Sequence, residues 1–215
     1  MDGGLHGHGA RSIRRRDLLV LLTVVAALAT IAVVVVRRSS RPVPVIGDSI
    51  TFLASHDISS ALGGAYHAEI HGGVGKRVDE MLPILGEELR EHPFAVVVNL
   101  GTNDVLQART HPDWQRGFER MIAMLVSSRC VVMTTISTRV DGPSASPEVA
   151  AEINDAIAMV VTSHRNFHAV DWNAAVHGID GASLLVADRI HPSPAGQLTL
   201  AALIRGALDR DCRHT

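Results

Sequence analysis

Cysteine is scarce in this 215-residue chain, which contains only Cys130 and Cys212. The two lie far apart and lack the spacing of metal ligands, so the sequence does not predict a cysteine-based metal centre. The twelve histidines are scattered along the chain. His6 and His8 lie in a glycine-rich segment, where weak adventitious metal binding is the most that we expect.

The basic charge that is typical of nucleic-acid-binding domains is missing from most of the chain. Residues 1–41 hold seven of the 20 Lys and Arg side chains but only two of the 22 Asp and Glu side chains. Residues 42–215 therefore carry a net charge of about −7, and an acidic domain has no electrostatic footprint for nucleic acid. We expect no nucleic-acid partner.

One long run without charge occupies residues 18–36, where only Thr23 and Thr30 are polar. As a helix this run is roughly 28 Å long, enough to span the hydrocarbon core of a bilayer. A buried core helix is disfavoured because the run is apolar on every side. Four arginines precede the run and three follow it, and this small excess favours a cytoplasmic N-terminus.

A signal peptide is the alternative, and its cleavage would give a secreted protein. Residues 14–16, three arginines, loosely resemble a twin-arginine signal. However, the run is long for a signal peptide, and residues 33–37 offer no small-x-small cleavage site. We therefore predict a disordered basic tail over residues 1–16 and a transmembrane anchor or uncleaved signal over 17–37. Residues 42–212 are predicted to form a single extracytoplasmic domain, held at the cell membrane by this one span.

Strand-like and helix-like segments alternate after the apolar run. The segments predicted as strands are 43–46, 65–70, 94–100, 130–136 and 167–172, several of them apolar throughout, as in buried parallel strands. Helix starts are predicted at Asp113, Ser146 and Ser193, the last two followed by proline. This alternation predicts a doubly wound α/β/α sandwich, in which ligands bind at the carboxyl ends of the strands.

Small and polar residues follow the first three predicted strands. Residues 47–51 (Gly-Asp-Ser-Ile-Thr) place Ser49 on a tight turn into a helix, where it serves either as a nucleophile or as a helix cap. Residues 71–75 (His-Gly-Gly-Val-Gly) form a loop whose N–H groups can approach a ligand. Asn103 can donate its amide to an oxyanion, although in isolation a turn residue is the better explanation.

The last loop carries Asp188 three residues before His191, directly ahead of the final helix. A carboxylate at this spacing reaches the imidazole Nδ1–H locally and leaves Nε2 to accept a proton from a serine. A solvated Asp and a surface His explain the pair equally well in isolation. Four such motifs in order, each next to a predicted strand or helix, are hard to obtain by chance.

In these four blocks the sequence resembles the GDSL/SGNH hydrolases, from about residue 43 to the C-terminal helix. The resemblance implies the SGNH hydrolase fold, a flavodoxin-like sandwich with a five-stranded parallel sheet, here preceded by one transmembrane helix. It also implies Ser49 as nucleophile, His191 as base and Asp188 as the residue that orients it. Ile50 replaces the leucine of the family name, which leaves the chemistry unchanged.

The same resemblance implies an oxyanion hole formed by the N–H of Ser49, a glycine N–H and the side chain of Asn103. Gly72, Gly73 and Gly75 each fit the glycine position, and we prefer Gly75, which lies nearest the following helix. The implied reaction is hydrolysis of a carboxylic ester through an acyl-serine, without a cofactor or metal. An O-acyltransferase with the same triad and a catalytically inactive glycan-binding domain are the alternatives. The sequence does not indicate an oligomeric state.

The substrate is less closely defined than the reaction. Residues 105–112, with His111, and residues 139–146 are the loops expected to line the pocket, and neither contains an aromatic residue. This composition favours small-molecule or glycan esters with short acyl or acetyl groups over long acyl chains. Asp171 and Trp172 are assigned either to the pocket rim or to the structure of the strand end.

The two cysteines are interpreted either as buried thiols or as a disulfide. Cys130 opens a predicted parallel strand, and Cys212 ends the last helix, which runs antiparallel to the strands. Both cysteines should therefore lie at the sheet edge opposite the active site, and an extracytoplasmic location favours oxidation. We predict a disulfide between them.

Overall fold

The structure is a computed structural model that describes residues 22, 24, 25, 41–108, 110–140 and 142–213. The chain divides into two units, Met1–Ser39 and Ser40–Thr215, and the fold below is that of the second. The predicted tail lies outside the described residues, as does the predicted anchor except for Leu22, Val24 and Val25. In the described part, no helix combines the length and apolarity needed to cross a membrane.

One sheet of parallel strands organises the described part of the second unit. The strands are β1 (Arg41–Asp48), β2 (Tyr66–Gly73), β3 (Val96–Asn99), β4 (Val131–Thr134) and β5 (Phe167–Val170). Their order across the sheet is β2-β1-β3-β4-β5, the order of flavodoxin-like folds. The predicted α/β class and five-stranded parallel sheet are confirmed.

Helices cover both faces of the sheet. They are α1 (Ser49–Leu53), α2 (Ser55–Leu62), α3 (Val78–Arg90), α4 (Thr102–Leu106), α5 (Trp114–Leu125), α6 (Pro147–Ser163), α7 (Trp172–His177) and α8 (Pro194–Asp211), with a 3₁₀ turn at Gly181–Leu184. Buried residues of α1, α2, α7 and α8 share one apolar core with the sheet. Those of α3, α5 and α6 form a second core on the other face, which gives the predicted three layers.

The predicted helix starts are confirmed at all three positions. Ser146 Oγ accepts a hydrogen bond from Val149 N–H (3.3 Å) at the start of α6, and Ser193 Oγ accepts one from Gly196 N–H (3.2 Å) at the start of α8. Asp113 directly precedes α5. Each serine satisfies a backbone donor of a first helical turn that has no intrahelical partner.

Strand ends differ from the sequence prediction at three places near the site. β2 continues to Gly73 instead of ending at Ile70, so His71, Gly72 and Gly73 belong to the strand and not to the predicted loop. β1 continues through Gly47 and Asp48 because β2 pairs with it to the end. The strand predicted over 167–172 stops at Val170 because Asp171 caps α7, accepting a hydrogen bond from Ala174 N–H at 2.8 Å. Asp171 and the buried Trp172 therefore have structural roles at the strand end.

Cys130 and Cys212 form a disulfide with a Cα–Cα distance of 5.7 Å, as predicted from the sequence. Cys130 immediately precedes β4, and Cys212 caps the C-terminus of α8. Both residues are fully buried. The bond therefore links the end of the final helix to the edge of the sheet where the parallel strands begin. The opposite edge, where the strands end, is the one at which ligands bind in such folds.

Candidate active site

Ser49 lies at the carboxyl end of β1, as the first residue of α1. Asp48 caps this helix by accepting a hydrogen bond from Ile50 N–H at 2.9 Å. Gly47 is required because a Cβ at this position would overlap the side chain of Thr51. The backbone N–H of Ser49 is among the first-turn donors that have no intrahelical partner, so it can serve a ligand next to the Ser49 hydroxyl.

His191 and Asp188 lie on the narrow loop that precedes α8. Asp188 Oδ1 accepts hydrogen bonds from the backbone N–H groups of Ile190 (2.8 Å) and His191 (2.9 Å). Arg189 adopts a left-handed conformation with φ of 59° between them, and the loop is closed by a hydrogen bond from Val186 N–H to His191 O. This local network fixes the carboxylate relative to the imidazole ring.

The structure connects the three predicted catalytic residues in one hydrogen-bonded chain. Ser49 Oγ lies 3.0 Å from His191 Nε2, and His191 Nδ1 lies 2.7 Å from Asp188 Oδ2. Ser49 is 8% exposed, so its hydroxyl lies on the floor of the site. The imidazole is thus placed to accept the serine proton while the carboxylate holds its other nitrogen.

The electrostatics of Asp188 favour its ionised form. Partial burial by itself raises the pKa of this carboxyl, but hydrogen bonds from the His191 side chain and from the backbone N–H groups of His191 and Ile190 outweigh burial and lower the pKa. The carboxylate is therefore charged at neutral pH. A charged partner at Nδ1 stabilises the imidazolium that forms when His191 takes a proton.

Asn103, in the first turn of α4, and Gly75, in the turn after β2, lie at the same edge of the sheet. Asn103 is 6% exposed, and its Nδ2 donates a hydrogen bond to Lys76 O at 3.1 Å. Gln107 Nε2 donates to Gly75 O at 3.2 Å. Gly72 and Gly73 end β2, whereas Gly75 lies in the turn beyond it with φ of 73°. Gly75, the glycine that we prefer for the oxyanion hole, is therefore the one whose carbonyl oxygen is hydrogen-bonded to the side chain of Gln107.

Several buried polar residues that support the site were missed in the sequence. Asn99 links two chain segments, since its Nδ2 donates to Thr51 Oγ1 and its Oδ1 accepts from Thr134 Oγ1. Asp104 accepts a hydrogen bond from Val78 N–H at 3.1 Å and so caps α3. These partners lie 26 to 48 positions apart, and no local pattern in the sequence reveals such pairs.

Two buried carboxyl groups near the site, those of Asp48 and Asp104, have raised pKa values. Complete burial raises the pKa of Asp48 to about 7, although the hydrogen bonds from Ile50 N–H and from the Thr102 side chain oppose the shift. Burial also raises the pKa of Asp104 to about 6, opposed by the hydrogen bond from Val78 N–H. Burial therefore disfavours the ionised forms of Asp48, which precedes Ser49, and of Asp104, which follows Asn103.

Two loops were predicted to line one pocket, but each of them lines a different cavity. Thr110, His111 and Pro112 line a cavity of about 360 Å³ together with residues of α3 and α5. Arg139 lines another of about 450 Å³, whose other side is formed by the 3₁₀ turn and the catalytic loop, including Arg189. Two arginine residues, one of them on the loop that carries Asp188, thus line the second cavity.

The family of the chain follows from its sequence. Residues 45–198 match the GDSL-like lipase/acylhydrolase family, a span that contains the whole hydrogen-bonded chain described above. The protein belongs to this family. No curated protein matches the sequence significantly.

Solved structures of other proteins share the fold of this family member. A lipase/acylhydrolase from Enterococcus faecalis matches with a TM-score of 0.67 and 24% identity, over 78% of this chain and 95% of that one. The C-terminal catalytic domain of a peptidoglycan O-acetyltransferase from Streptococcus pneumoniae matches with a TM-score of 0.65 and 17% identity, over 79% of this chain and 93% of that one. An acetylxylan esterase from Geobacillus stearothermophilus matches with a TM-score of 0.57 and 16% identity, over 82% of this chain and 96% of that one.

Proposed function

We propose that this hydrolase is a serine esterase in which Ser49 is the nucleophile, His191 the general base and Asp188 the residue that orients it. The observation that carries the proposal is the 3.0 Å contact between Ser49 Oγ and His191 Nε2, continued at 2.7 Å to Asp188. A serine hydroxyl is a weak nucleophile unless an adjacent base removes its proton. The contact supplies this base.

The reaction starts with the attack of Ser49 Oγ on the carbonyl carbon of an ester while His191 Nε2 takes the hydroxyl proton. The tetrahedral intermediate places its negative oxygen at the oxyanion hole, which we assign to the Ser49 N–H, the Gly75 N–H and the Asn103 side-chain amide. Collapse expels an alcohol, which receives the proton from His191. Water then attacks the acyl-serine with His191 again as base, and this step releases the acid.

The substrate that we favour is an ester of a small acyl or acetyl group on a small molecule or glycan. Arg139 and Arg189 line the cavity beside the catalytic loop together with four small or medium-sized apolar residues, and this mixed lining suits a small acyl group better than a long alkyl chain. Two proteins with the same fold support this direction, an acetylxylan esterase and a peptidoglycan O-acetyltransferase domain.

An O-acyltransferase is the second candidate, because the acyl-serine is common to both reactions. In that case the hydroxyl of an acceptor, in place of water, attacks the acyl-serine. The similarity of the fold to that of an O-acetyltransferase domain supports acyl transfer as the second candidate reaction. The third candidate of the sequence analysis, an inactive glycan-binding domain, is disfavoured because the nucleophile, base and orienting carboxylate are in contact.

We further propose that the catalytic domain is extracytoplasmic and held at the cell membrane by residues 17–37. The uncharged run of residues 18–36 between arginine clusters supports this proposal. The disulfide between Cys130 and Cys212 also supports it, since such bonds persist in oxidising compartments.

The proposed reaction is tested with p-nitrophenyl esters of increasing acyl length, on the full-length protein and on Ser49→Ala. We expect the highest kcat/KM for acetyl or other short esters and no turnover by the variant. Repeating the assay with an acceptor such as a chitooligosaccharide distinguishes the two candidate reactions, because a transferase yields acylated acceptor at the expense of free acid. Equal turnover by wild type and variant would refute the assignment of Ser49.

A further inference from the structure

A cluster of metal-ligating side chains lies outside the triad, where β2 meets α3. Glu69 and His71 belong to β2, and Glu88 belongs to α3. His71 Nε2 lies 3.0 Å from Glu88 Oε1. One ligand atom from each of the three residues lies within 4.8 Å of the other two, so all three side chains converge on one point.

The fold explains why these residues meet. Residues 69 and 71 alternate with residue 70 and therefore point to the same face of β2. His71 is in register with Ile46 of β1, which belongs to the apolar core that α3 covers. Glu88 lies near the C-terminal end of this helix, above the face that carries both ligands. β2 is an edge strand, so the cluster remains open to ions from the solvent on one side.

Each glutamate of this cluster lies near a histidine, Glu88 near His71 (3.0 Å) and Glu69 near His67 (3.6 Å). His71 Nε2 is buried and has no hydrogen-bond partner among the described residues, despite its nearness to Glu88. The three side chains thus present two carboxylates and one imidazole nitrogen within 4.8 Å of one another, a distance that one ion can bridge.

We propose that Glu69, His71 and Glu88 bind a divalent transition-metal ion, with zinc as the best match. Two carboxylates and one neutral imidazole neutralise a divalent charge, and mixed nitrogen and oxygen ligands suit zinc better than calcium or magnesium. Tetrahedral ligands at about 2.1 Å from zinc lie roughly 3.4 Å apart. The half-exposed Glu69 has the freedom to make this small adjustment.

A metal ion here would connect the edge strand to the helix that covers it. Because the three ligands meet only in the folded protein, zinc should stabilise the native state in proportion to its concentration. This stabilisation is independent of the proposed esterase activity.

The test uses the full-length protein after removal of metal with a chelator. Zinc at about one hundred times its Kd is expected to raise Tm by roughly 5–10 °C, and elemental analysis after gel filtration should find one zinc per chain. His6→Ala and His8→Ala are introduced throughout, so that zinc bound near the N-terminus does not add to the stoichiometry. Circular dichroism without metal checks that each variant is folded.

The decisive variant is Glu88→Gln, which keeps the shape of the side chain and removes its charge. We expect it to lose most of the zinc-dependent shift and the bound zinc. The matched control is Glu87→Gln, because Glu87 lies on the same helix and pairs with Arg90 instead. His191→Gln provides a second control, since the triad also contains an imidazole.

Three results would overturn the proposal. Glu88→Gln with full zinc binding would exclude the cluster as the site. Loss of the shift in His191→Gln would move the site to the triad. A larger shift with calcium or magnesium than with zinc would reject a transition metal as the ion.

Discussion

Asn103 Nδ2 donates a hydrogen bond to the backbone carbonyl oxygen of Lys76 at 3.1 Å, which joins the first turn of α4 to the loop after β2. Lys76 directly follows Gly75, whose own carbonyl accepts a hydrogen bond from Gln107. The two segments that we assign to the oxyanion hole, the first turn of α4 and the loop after β2, are thus held together before substrate binds. Such pre-organisation lets their N–H donors act without rearrangement during the reaction.

Asn103→Ala is expected to lower kcat by roughly 10²–10³, the usual effect of losing one oxyanion donor. Because the side chain also holds Lys76, loss of the amide should loosen the Gly75 turn. The matched control is Asn166→Ala, which removes an asparagine that also bridges backbone carbonyls, those of Val126 and Ser128. Steady-state kinetics with equal kcat for Asn103→Ala and wild type would remove Asn103 from the oxyanion hole.

Ser49→Ala is expected to abolish labelling by a fluorophosphonate probe, because this probe reacts with a serine that a neighbouring base activates. The circular dichroism spectrum and Tm should stay near those of the wild type, since only a hydroxyl is lost. Ser59→Ala, at an exposed position of α2, should leave labelling intact. Persistent labelling of Ser49→Ala would assign the nucleophile to another residue.

Asp188→Asn is expected to lower kcat/KM by roughly 10³–10⁴, as loss of the orienting carboxylate does in triads. The amide keeps an oxygen for the backbone N–H groups of Ile190 and His191 but no longer stabilises an imidazolium. We therefore expect the fold to persist while catalysis fails. Asp113→Asn, at an exposed position before α5, is the control, and equal losses in both variants would contradict a specific role of Asp188.

Asp48→Asn is expected to change the dependence of stability on pH. The folded-state pKa of Asp48 is raised to about 7 by burial, well above its value in the unfolded chain. Its protonated form therefore stabilises the protein below about pH 4, and this contribution is lost as pH rises through 7. The loss amounts to at most roughly 4 kcal/mol.

Asparagine stays neutral at every pH and can still accept the hydrogen bond from Ile50 N–H. The Tm of Asp48→Asn relative to wild type should therefore be several degrees higher at pH 8 than at pH 4.5. Thermal unfolding at both pH values measures this difference, and the exposed Asp113→Asn variant again serves as control. The prediction fails if the relative Tm is the same at both pH values.

Removal of the disulfide by Cys130→Ala with Cys212→Ala is expected to lower the free energy of unfolding by about 4–5 kcal/mol. This value comes from the chain-entropy cost of releasing a loop that spans 82 positions. Because the bond lies at the edge opposite the triad, kcat should change little at a temperature where the variant is folded. Denaturant unfolding tests the stability, and unchanged stability in the double variant would show that the bond does not form.

The sequence by itself determined the elements and the chemistry of single loops. Uninterrupted apolar segments indicated the buried strands, and Ser-Pro pairs marked the starts of α6 and α8, because both signals act over a few residues. The pairing of Asp188 with His191 was visible for the same reason, since three residues of one loop suffice to form it. The cysteine pairing followed from the direction in which parallel strands and the last helix run.

Only the tertiary structure decided which distant residues meet. It separated Gly75, in a turn, from Gly72 and Gly73, at the end of β2. It placed His191 against Ser49, buried Asp48 completely and brought Glu88 to the edge strand. Strand order and helix packing bring these groups together from different elements of the chain, and a periodicity of two or 3.6 residues carries no information about such contacts.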